Sequence, residues 1–267
     1  MKVQGKVMVV TGAGSGMGRE LSIQLAKKGA TIVMADIHED AMTETAVMLG
    51  NAKHTKHVLN VSDREAVEKF AAEAIQHHGA IDGIINNAGI IQPFVDVKDL
   101  DYSVIERVMN VNFYGTLYMC KAFLPHLLTR PEAHIANVSS MGGFIPFPGQ
   151  TFYSASKGAV KMLTEGLYSE LKDTNVGVTV IHPGAINTNI MTNSGVEDTM
   201  SSGMSEADKA KMTLPADKAA AIMINAIEKN KYRVMVGKDA KLLDILYRLS
   251  PRRAVNFIVK QMGSVSR

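Results

Sequence analysis

Val7-Met-Val-Val-Thr11-Gly-Ala-Gly-Ser-Gly-Met-Gly18 decides how this chain folds. A continuous apolar run ends at a threonine, passes into a glycine-rich turn, and is followed by Gly18–Lys28, where Leu21 and Leu25 stand four apart. A short apolar run placed before a helix reads as a strand covered on both faces. Gly12, Gly16 and Gly18 let the backbone turn sharply and come close to a ligand, and the helix N-terminus behind them offers free N–H groups to an anion. The spacing is G-x-x-x-G-x-G, not the G-x-G-x-x-G of the standard dinucleotide turn. Ser15 and Met17 complete this candidate pyrophosphate loop; a glycine-rich turn that holds no ligand is the alternative.

Outward from this turn the pattern alternates. Strands are expected at Thr31–Ala35, Lys56–Val61, Ile81–Asn86, His134–Ser139, Gly177–His182 and Tyr232–Val236. Helices are expected at Glu39–Leu49, Asp63–His77, Tyr102–Leu128, Phe152–Lys172 and Ala216–Glu228, the last opened by Pro215. Such alternation with short loops implies an α/β fold: a Rossmann-like, doubly wound parallel sheet with helices on both faces, in a single domain. Residues 1–237 form the catalytic unit on this reading. Residues 189–214, rich in Ser, Thr, Gly and Met, are too long for a plain connector and read as a substrate loop or lid. Residues 238–267 form a basic extension of two amphipathic helices, with Leu242, Ile245, Leu246 and Leu249, then Val255, Ile258, Val259 and Met262, at helical spacing. The extension packs on the domain or on a neighbouring subunit; the alternative is a membrane surface.

The whole chain has 267 residues, 46% hydrophobic and 21% charged, which suits one soluble domain with a substantial core. A single cysteine, Cys120, excludes an internal disulfide and fits a reducing compartment. It lies in an apolar helical stretch and reads as core packing. No targeting pattern and no membrane-length apolar run is present, so the expected location is cytoplasmic, with peripheral membrane contact through the tail as the variant. The net charge of +3 is uneven: from Lys229 onward ten Lys/Arg face two acids, while the remainder holds 19 bases and 24 acids. Stacking aromatics are lacking among the tail cations, which argues against nucleic acid. The histidines show no metal-ligand pattern, so no metal is expected.

Asp36 stands at the end of the second strand, where a carboxylate accepts hydrogen bonds from an adenosine ribose and repels a 2′-phosphate. With no basic residue before Gly16 and Ile37-His38 after Asp36, the expected cofactor is NAD rather than NADP. Capping of the next helix is the alternative role for Asp36. Tyr153 and Lys157 sit four apart on one helix face, and an ammonium beside a phenol lowers a pKa that is ordinarily about 10. The pair reads as a tuned general acid/base.

Taken with further motifs, the chain resembles the short-chain dehydrogenases/reductases from Lys6 to about Thr188. The glycine turn resembles that family's T-G-x-x-x-G-x-G. Asn86-Asn87-Ala88-Gly89 matches its N-N-A-G, which stabilises the sheet and flanks the adenosine. Asn112 matches the asparagine of the catalytic tetrad, and Ser140, 13 residues before Tyr153, matches the catalytic serine. His182-Pro183-Gly184-Ala-Ile186-Asn-Thr188 resembles the P-G-x-x-x-T segment that grips the nicotinamide carboxamide. Asn60-Val61 stands where many members have Asp-Val against the adenine, and an amide oxygen still accepts that bond.

The resemblance implies that Tyr153 exchanges a proton with the substrate oxygen. Lys157 lowers the tyrosine pKa and binds the nicotinamide ribose, Ser140 hydrogen-bonds the substrate oxygen, and Asn112 holds a water leading from Lys157 to solvent. It implies an NAD-dependent oxidoreductase acting on CH–OH donors, assembled as a homodimer or homotetramer. Short members end soon after the last strand, so the extension puts their assembly rules in doubt. Met141, Phe144, Ile145, Phe147 and Phe152 beside the site, and Met191, Met200, Met204 and Met212 in the loop, suit a hydrophobic secondary alcohol or ketone: steroid-, retinoid-, fatty- or aromatic-alcohol-like. Ordinary loop and core filling is the alternative for these side chains. An NAD-binding sensor with little turnover, or an epimerase or dehydratase using the same site, are the alternative functions.

Overall fold

The computed structural model describes residues 1–196 and 212–262. In chain order the elements are β1 (Val7–Thr11), α1 (Gly16–Lys27), β2 (Thr31–Asp36), α2 (Glu39–Leu49), β3 (His54–Val58), α3 (Arg64–His78), β4 (Gly83–Asn86), α4 (Tyr102–Met109), α5 (Gly115–Leu127), β5 (Ala133–Val138), α6 (Thr151–Glu170) and β6 (Val176–Pro183). There follow β7 (Ile186–Asn187), α7 (Ile190–Ser194), β8 (Leu214–Pro215), α8 (Ala216–Glu228), β9 (Arg233–Val236), α9 (Lys238–Leu249) and α10 (Pro251–Met262).

Among the described residues seven strands form one sheet, in the order β3-β2-β1-β4-β5-β6-β9, with every pairing parallel. The expected Rossmann-like architecture is therefore present. Alternate strand residues feed two cores. Met8, Val10, Ile32 and Met34 pack under α1 and α8 with Leu21, Met223 and Ile227, while Val9, Val33 and Ile84 pack under α3 and α5 with Phe70, Phe123 and Leu127. This double burial is why the strands read as unbroken apolar runs. The sheet order reverses at β1 and β4, and in such a sheet the crevice beyond their C-terminal ends is the place for a ligand.

Two sequence expectations are corrected. The helix expected over Tyr102–Leu128 is a continuous helical run, but it widens into a π-turn at Asn110–Tyr114, where Asn112 turns its side chain to Ile90 of another segment. The strand expected at Lys56–Val61 is instead His54–Val58. Leu59 and Val61 are apolar because they pack on the α3–α5 side of the core from a loop, not because they extend the strand.

The extension lies against the body. Leu243, Ala254 and Ile258 close over Ile145, with Met141, Phe144, Phe147, Leu246 and Tyr247 around them. Cys120 is buried beside Asn86 and Asn137, and burial pushes its thiol up to about 12, where it carries no thiolate at neutral pH. Among the described residues no helix is long and apolar enough to cross a membrane, and no three His, Cys, Asp or Glu side chains gather as a metal would require. Met200 and Met204, expected in the substrate loop, lie outside the described residues.

Candidate active site

The glycine turn has the shape its sequence requires. Gly12 and Gly16 have φ of +67° and +51°, a region L side chains rarely enter, and a Cβ on Gly18 would collide with the carbonyl of Gly12. Thr11 closes β1 onto the next strand: its Oγ1 accepts the N–H groups of Asn87 and Ala88, both at 3.0 Å. Asn87 Nδ2 returns a bond to Thr11 O at 3.0 Å. Behind it, Asn86 Nδ2 donates to Asn137 Oδ1 at 2.8 Å and Asn137 Nδ2 to Thr164 Oγ1 at 3.0 Å, a buried polar chain tying β4, β5 and α6 together.

A cavity of about 440 Å³ opens over this turn. Its walls include Gly12, Ser15, Gly16 and Met17 from the turn, Asp36 from β2, Asn60 and Val61 from the loop after β3, Asn87, Ala88 and Gly89 after β4, and Thr188. These eleven are expected cofactor residues that the fold brings to one cavity from five separate segments. The other expected cofactor residues, Gly18, Pro183, Gly184, Ile186, Tyr153 and Lys157, do not line it; Gly18 lies against Gly12 and Lys157 against Gly89 of the wall. A dinucleotide fits this donor set: the glycine cradle is a space a Cβ would fill, free N–H groups open α1, and a carboxylate stands at the far end of the cavity.

Asp36 Oδ2 accepts the Gly14 N–H at 2.8 Å, and Oδ1 accepts the His38 N–H at 3.0 Å. The carboxylate thus shapes the turn as well as facing the cavity. Arg19, the basic side chain nearest the turn, donates Nη2 to Gly14 O at 2.6 Å and to Glu44 at 2.7 Å, so it is already paired. Asn60 Oδ1 accepts both the N–H and the hydroxyl of Ser62, at 3.1 and 2.7 Å, which engages the oxygen expected to meet the adenine.

Of the cavity's wall residues not expected as cofactor contacts, three make polar bonds across it. Asn193 in α7 donates to Ser15 Oγ at 2.8 Å, Ser194 Oγ accepts the Ile91 N–H at 3.0 Å, and Arg107 donates to Ser194 O at 3.2 Å. Together they fasten the described start of the substrate loop across the cavity. Only a polar composition hints at this in the sequence.

The expected tetrad converges at the end of β5 and the first turns of α6. Asn112 is buried; its Oδ1 accepts the Ile90 N–H at 2.8 Å, and its Nδ2 donates to Ile90 O and to Ser156 Oγ, both at 2.9 Å. Gly89 separates it from Lys157: a Cβ built on Gly89 would lie 2.9 Å from Lys157 Nζ and 3.2 Å from Asn112 Oδ1. The Asn112 side chain is therefore already partnered, and a water-holding role falls to whatever acceptor capacity its oxygens retain. Ser140 Oγ accepts the Gly142 N–H at 3.0 Å, and it shares the space over Gly142 with the Tyr153 ring: a Cβ there would lie 3.4 Å from Ser140 Oγ and 3.5 Å from a Tyr153 ring carbon.

The electrostatics correct one expectation. Burial raises the Tyr153 pKa above its ordinary value, and the hydrogen bond from Ser140 pulls it the other way. Lys157 donates Nζ to Val138 O at 3.0 Å, and burial lowers its own pKa to about 8. The four-residue spacing does not lower the tyrosine here: desolvation dominates, and the ammonium is spent on a backbone carbonyl.

His182 supports Ser140 from behind. Its Nδ1 lies 2.9 Å from Ser140 O, and burial lowers its pKa to about 4, so the neutral ring donates Nδ1–H to that carbonyl. The segment after it is held by its own partners. Gly184 N–H donates to Val236 O at 2.8 Å, Ala185 N–H to Asp239 Oδ2 at 2.7 Å, and Ile186 pairs with Leu214. Thr188 ends the segment against Gly16. Among the apolar residues expected beside the site, Ile145 is fully buried against the extension, whereas Met141, Phe144 and Phe147 are only partly buried around it.

A family model described as short chain dehydrogenase matches residues 6–198. The Mycobacterium tuberculosis protein SadH, which carries an oxidoreductase name, is 38% identical over 253 residues, covering 92% of this chain and 91% of its own. The 3-oxoacyl-[acyl-carrier-protein] reductase FabG of Thermotoga maritima is 32% identical over 250 residues, covering 91% of this chain and 100% of its own. A short-chain dehydrogenase/reductase from Burkholderia phymatum, solved in complex with NAD, superimposes with a TM-score of 0.84 at 27% identity, covering 95% of this chain and 96% of its own.

Proposed function

Because this chain belongs to the short-chain dehydrogenase/reductase family of oxidoreductases, we propose that it uses NAD to interconvert a hydrophobic secondary alcohol and the matching ketone. The observation that carries the reading is the meeting of Ser140 and Tyr153 at Gly142, where an added Cβ would lie 3.4 Å from Ser140 Oγ and 3.5 Å from a Tyr153 ring carbon, with buried Lys157 against Gly89 in the wall of the glycine-cradled cavity.

The glycine turn and the N-terminus of α1 would hold the pyrophosphate. Asp36 would hold the adenosine ribose, Asn60 and Val61 the adenine, Asn87 to Gly89 the adenosine side, and Pro183 to Thr188 the carboxamide. The chemistry a bound nicotinamide supplies is hydride exchange with the carbinol carbon. Tyr153 takes the hydroxyl proton in oxidation and returns it in reduction. Ser140, donating to the same oxygen, stabilises the negative charge that develops there. Lys157, titrating near neutrality, adds positive charge at the ribose side as Asn112 fixes Gly89 beside it. Asp36 and the paired Arg19 support NAD over NADP, since among the described residues of the cavity wall near Asp36 no free cation faces a 2′-phosphate. The NAD bound in the Burkholderia phymatum relative supports the same choice.

Met141, Phe144 and Phe147, which follow Ser140 in sequence and are only partly buried, support an apolar substrate. Residues 1–237 act as the catalytic unit and 238–267 as its extension, in a cytoplasmic homodimer or homotetramer. The test is the near-ultraviolet absorbance of reduced nicotinamide, formed from NAD with secondary alcohols of graded apolarity. Turnover should rise with apolarity and vanish in Tyr153→Phe. Full turnover in that variant sinks the mechanism.

A further inference from the structure

The outward face of α9 and α10 combines free apolar surface with charge of one sign. Leu242, Ile245 and Leu249 are 52%, 56% and 78% exposed and form one stripe on α9. Phe257 and Val259 on α10 are exposed beside them. Lys238, Lys241, Arg248, Arg252, Arg253 and Lys260 are exposed as well. Both acids of these helices are engaged. Asp239 accepts the Ala185 N–H, and Asp244 pairs with Arg233 at 3.0 Å and with Arg248 at 3.1 Å. No exposed carboxylate offsets the cations among the described residues of this face.

That sign selects the occupant. A second copy of the chain docked through the same face would set these cations against their own images across a two-fold axis. Nucleic acid would meet the charge but not the apolar stripe, and Phe257 is the lone aromatic among the exposed large apolar side chains there. An anionic lipid surface meets both: its headgroups face the Lys and Arg, and its acyl boundary takes Leu242, Ile245, Leu249 and Phe257. The rest of the chain, with 19 bases against 24 acids, is repelled by the same surface, so the field turns this end toward it.

We propose that α9 and α10 dock this protein, lying in plane, on an anionic lipid surface. The inner faces of the same helices pack on Met141, Phe144 and Ile145, the residues that follow Ser140 in space and sequence. Docking therefore sets the apolar side of the site about one helix diameter, roughly 10 Å, from lipid. The inference stands on the outer face alone and does not depend on which reaction the site performs.

The test is co-sedimentation of the full chain with phosphatidylcholine vesicles made with and without phosphatidylglycerol. Binding is expected to the anionic vesicles only, and the bound-to-free ratio should drop by on the order of tenfold at high salt. The triple variant Leu242→Ser/Ile245→Ser/Leu249→Ser and the pair Arg252→Glu/Arg253→Glu should each abolish it, with unchanged melting curves and unchanged size-exclusion elution. If the triple variant melts early, the charge-reversed pair, outside the core, decides the matter. No binding to anionic vesicles, equal binding to neutral ones, or retained binding in the charge-reversed pair overturns the proposal. So does a smaller oligomer in the triple variant, which would give the face to a second copy of the chain.

Discussion

Gln92 Oε1 accepts the backbone N–H of Tyr153 at 3.0 Å and that of Phe152 at 2.9 Å. A helix start leaves its first N–H groups without partners, and α6 has no capping side chain of its own at Gln150. Gln92 supplies the acceptor from the loop that follows Gly89. Its Nε2 donates to Gly149 O at 2.9 Å, and its carbonyl accepts Gln150 Nε2 at 2.7 Å, all in a fully buried position. The loop lining the cavity and the helix bearing Tyr153 are thereby fixed to each other.

Gln92→Ala is therefore expected to leave two buried N–H groups unpaired, at a cost of about 2–4 kcal/mol in stability. Released from that clamp, Tyr153 should lose kcat by roughly ten- to a hundredfold while KM for NAD stays near its wild-type value. Gln92→Glu, which keeps the acceptor, should recover most of kcat. Steady-state kinetics on the three proteins decide it: wild-type kcat in Gln92→Ala means the bond does not position the tyrosine.

Asp239 does for the segment after β6 what Gln92 does for α6. Its Oδ2 holds the Ala185 N–H at 2.7 Å, and its carboxylate presses so closely on Gly184 and Gly237 that a Cβ on either would collide with it. Asp239→Ala should free Pro183–Thr188 and raise the Kd for NAD about tenfold, with a smaller effect on kcat. Asp239→Asn, which keeps an acceptor, should sit between the two proteins. Calorimetric titration with NAD checks this, and an unchanged Kd in Asp239→Ala would leave Asp239 as a structural tie of that segment alone.

The sheet was legible in the sequence because β1, β2, β4, β5 and β6 are apolar on both faces and separated by turns their glycines announce. Cavity residues such as Gly12, Asp36 and Asn87 were legible for the same local reason: each sits at or just past the C-terminal end of a strand, Gly12 and Asn87 at the switch point and Asp36 on the neighbouring β2. Gln92, Asp239 and His182 were not. Their work consists of bonds to segments dozens of residues away, at no fixed spacing. The π-turn at Asn110–Tyr114 leaves no mark on the local apolar periodicity. The direction in which the Tyr153 pKa moves was misread because desolvation depends on three-dimensional burial, which a four-residue spacing does not contain.

On the proposed reading cofactor choice rests on Asp36, which both faces the cavity and accepts the Gly14 N–H at 2.8 Å. Asp36→Ser with Ile37→Arg removes a repelling carboxylate and adds a fork for a 2′-phosphate. The ratio of kcat/KM for NADP to that for NAD should rise at least about tenfold, a change of roughly 1.4 kcal/mol. The charged bond to Gly14 is lost as well, so the variant should also be less stable by about 1.5–3 kcal/mol. An unchanged ratio together with lower stability would make Asp36 a purely structural residue of the turn.

Lys157 gives the protein a pH signature in the absence of any cofactor. Burial sets its folded pKa at about 8, below its ordinary 10.5. Below pH 8 both folded and unfolded chains carry the proton, and the folded state bears the full cost of a buried ammonium. Between about 8 and 10.5 the folded state releases its proton first, so the unfolded chain binds more protons and stability rises with pH. The upper bound of the gain is on the order of 3 kcal/mol, since each tenfold difference in proton affinity between the two states corresponds to about 1.4 kcal/mol. Tyr153 acts in the opposite sense only at higher pH: its raised pKa makes ionisation costly in the folded state and removes stability above about 10. Lys157→Met, which keeps the aliphatic stem without the charge, should lack the rise. Chemical denaturation of both proteins across this range measures it, and parallel curves would mean that Lys157 stays protonated in the folded chain, with its charge balanced by a partner other than the Val138 carbonyl.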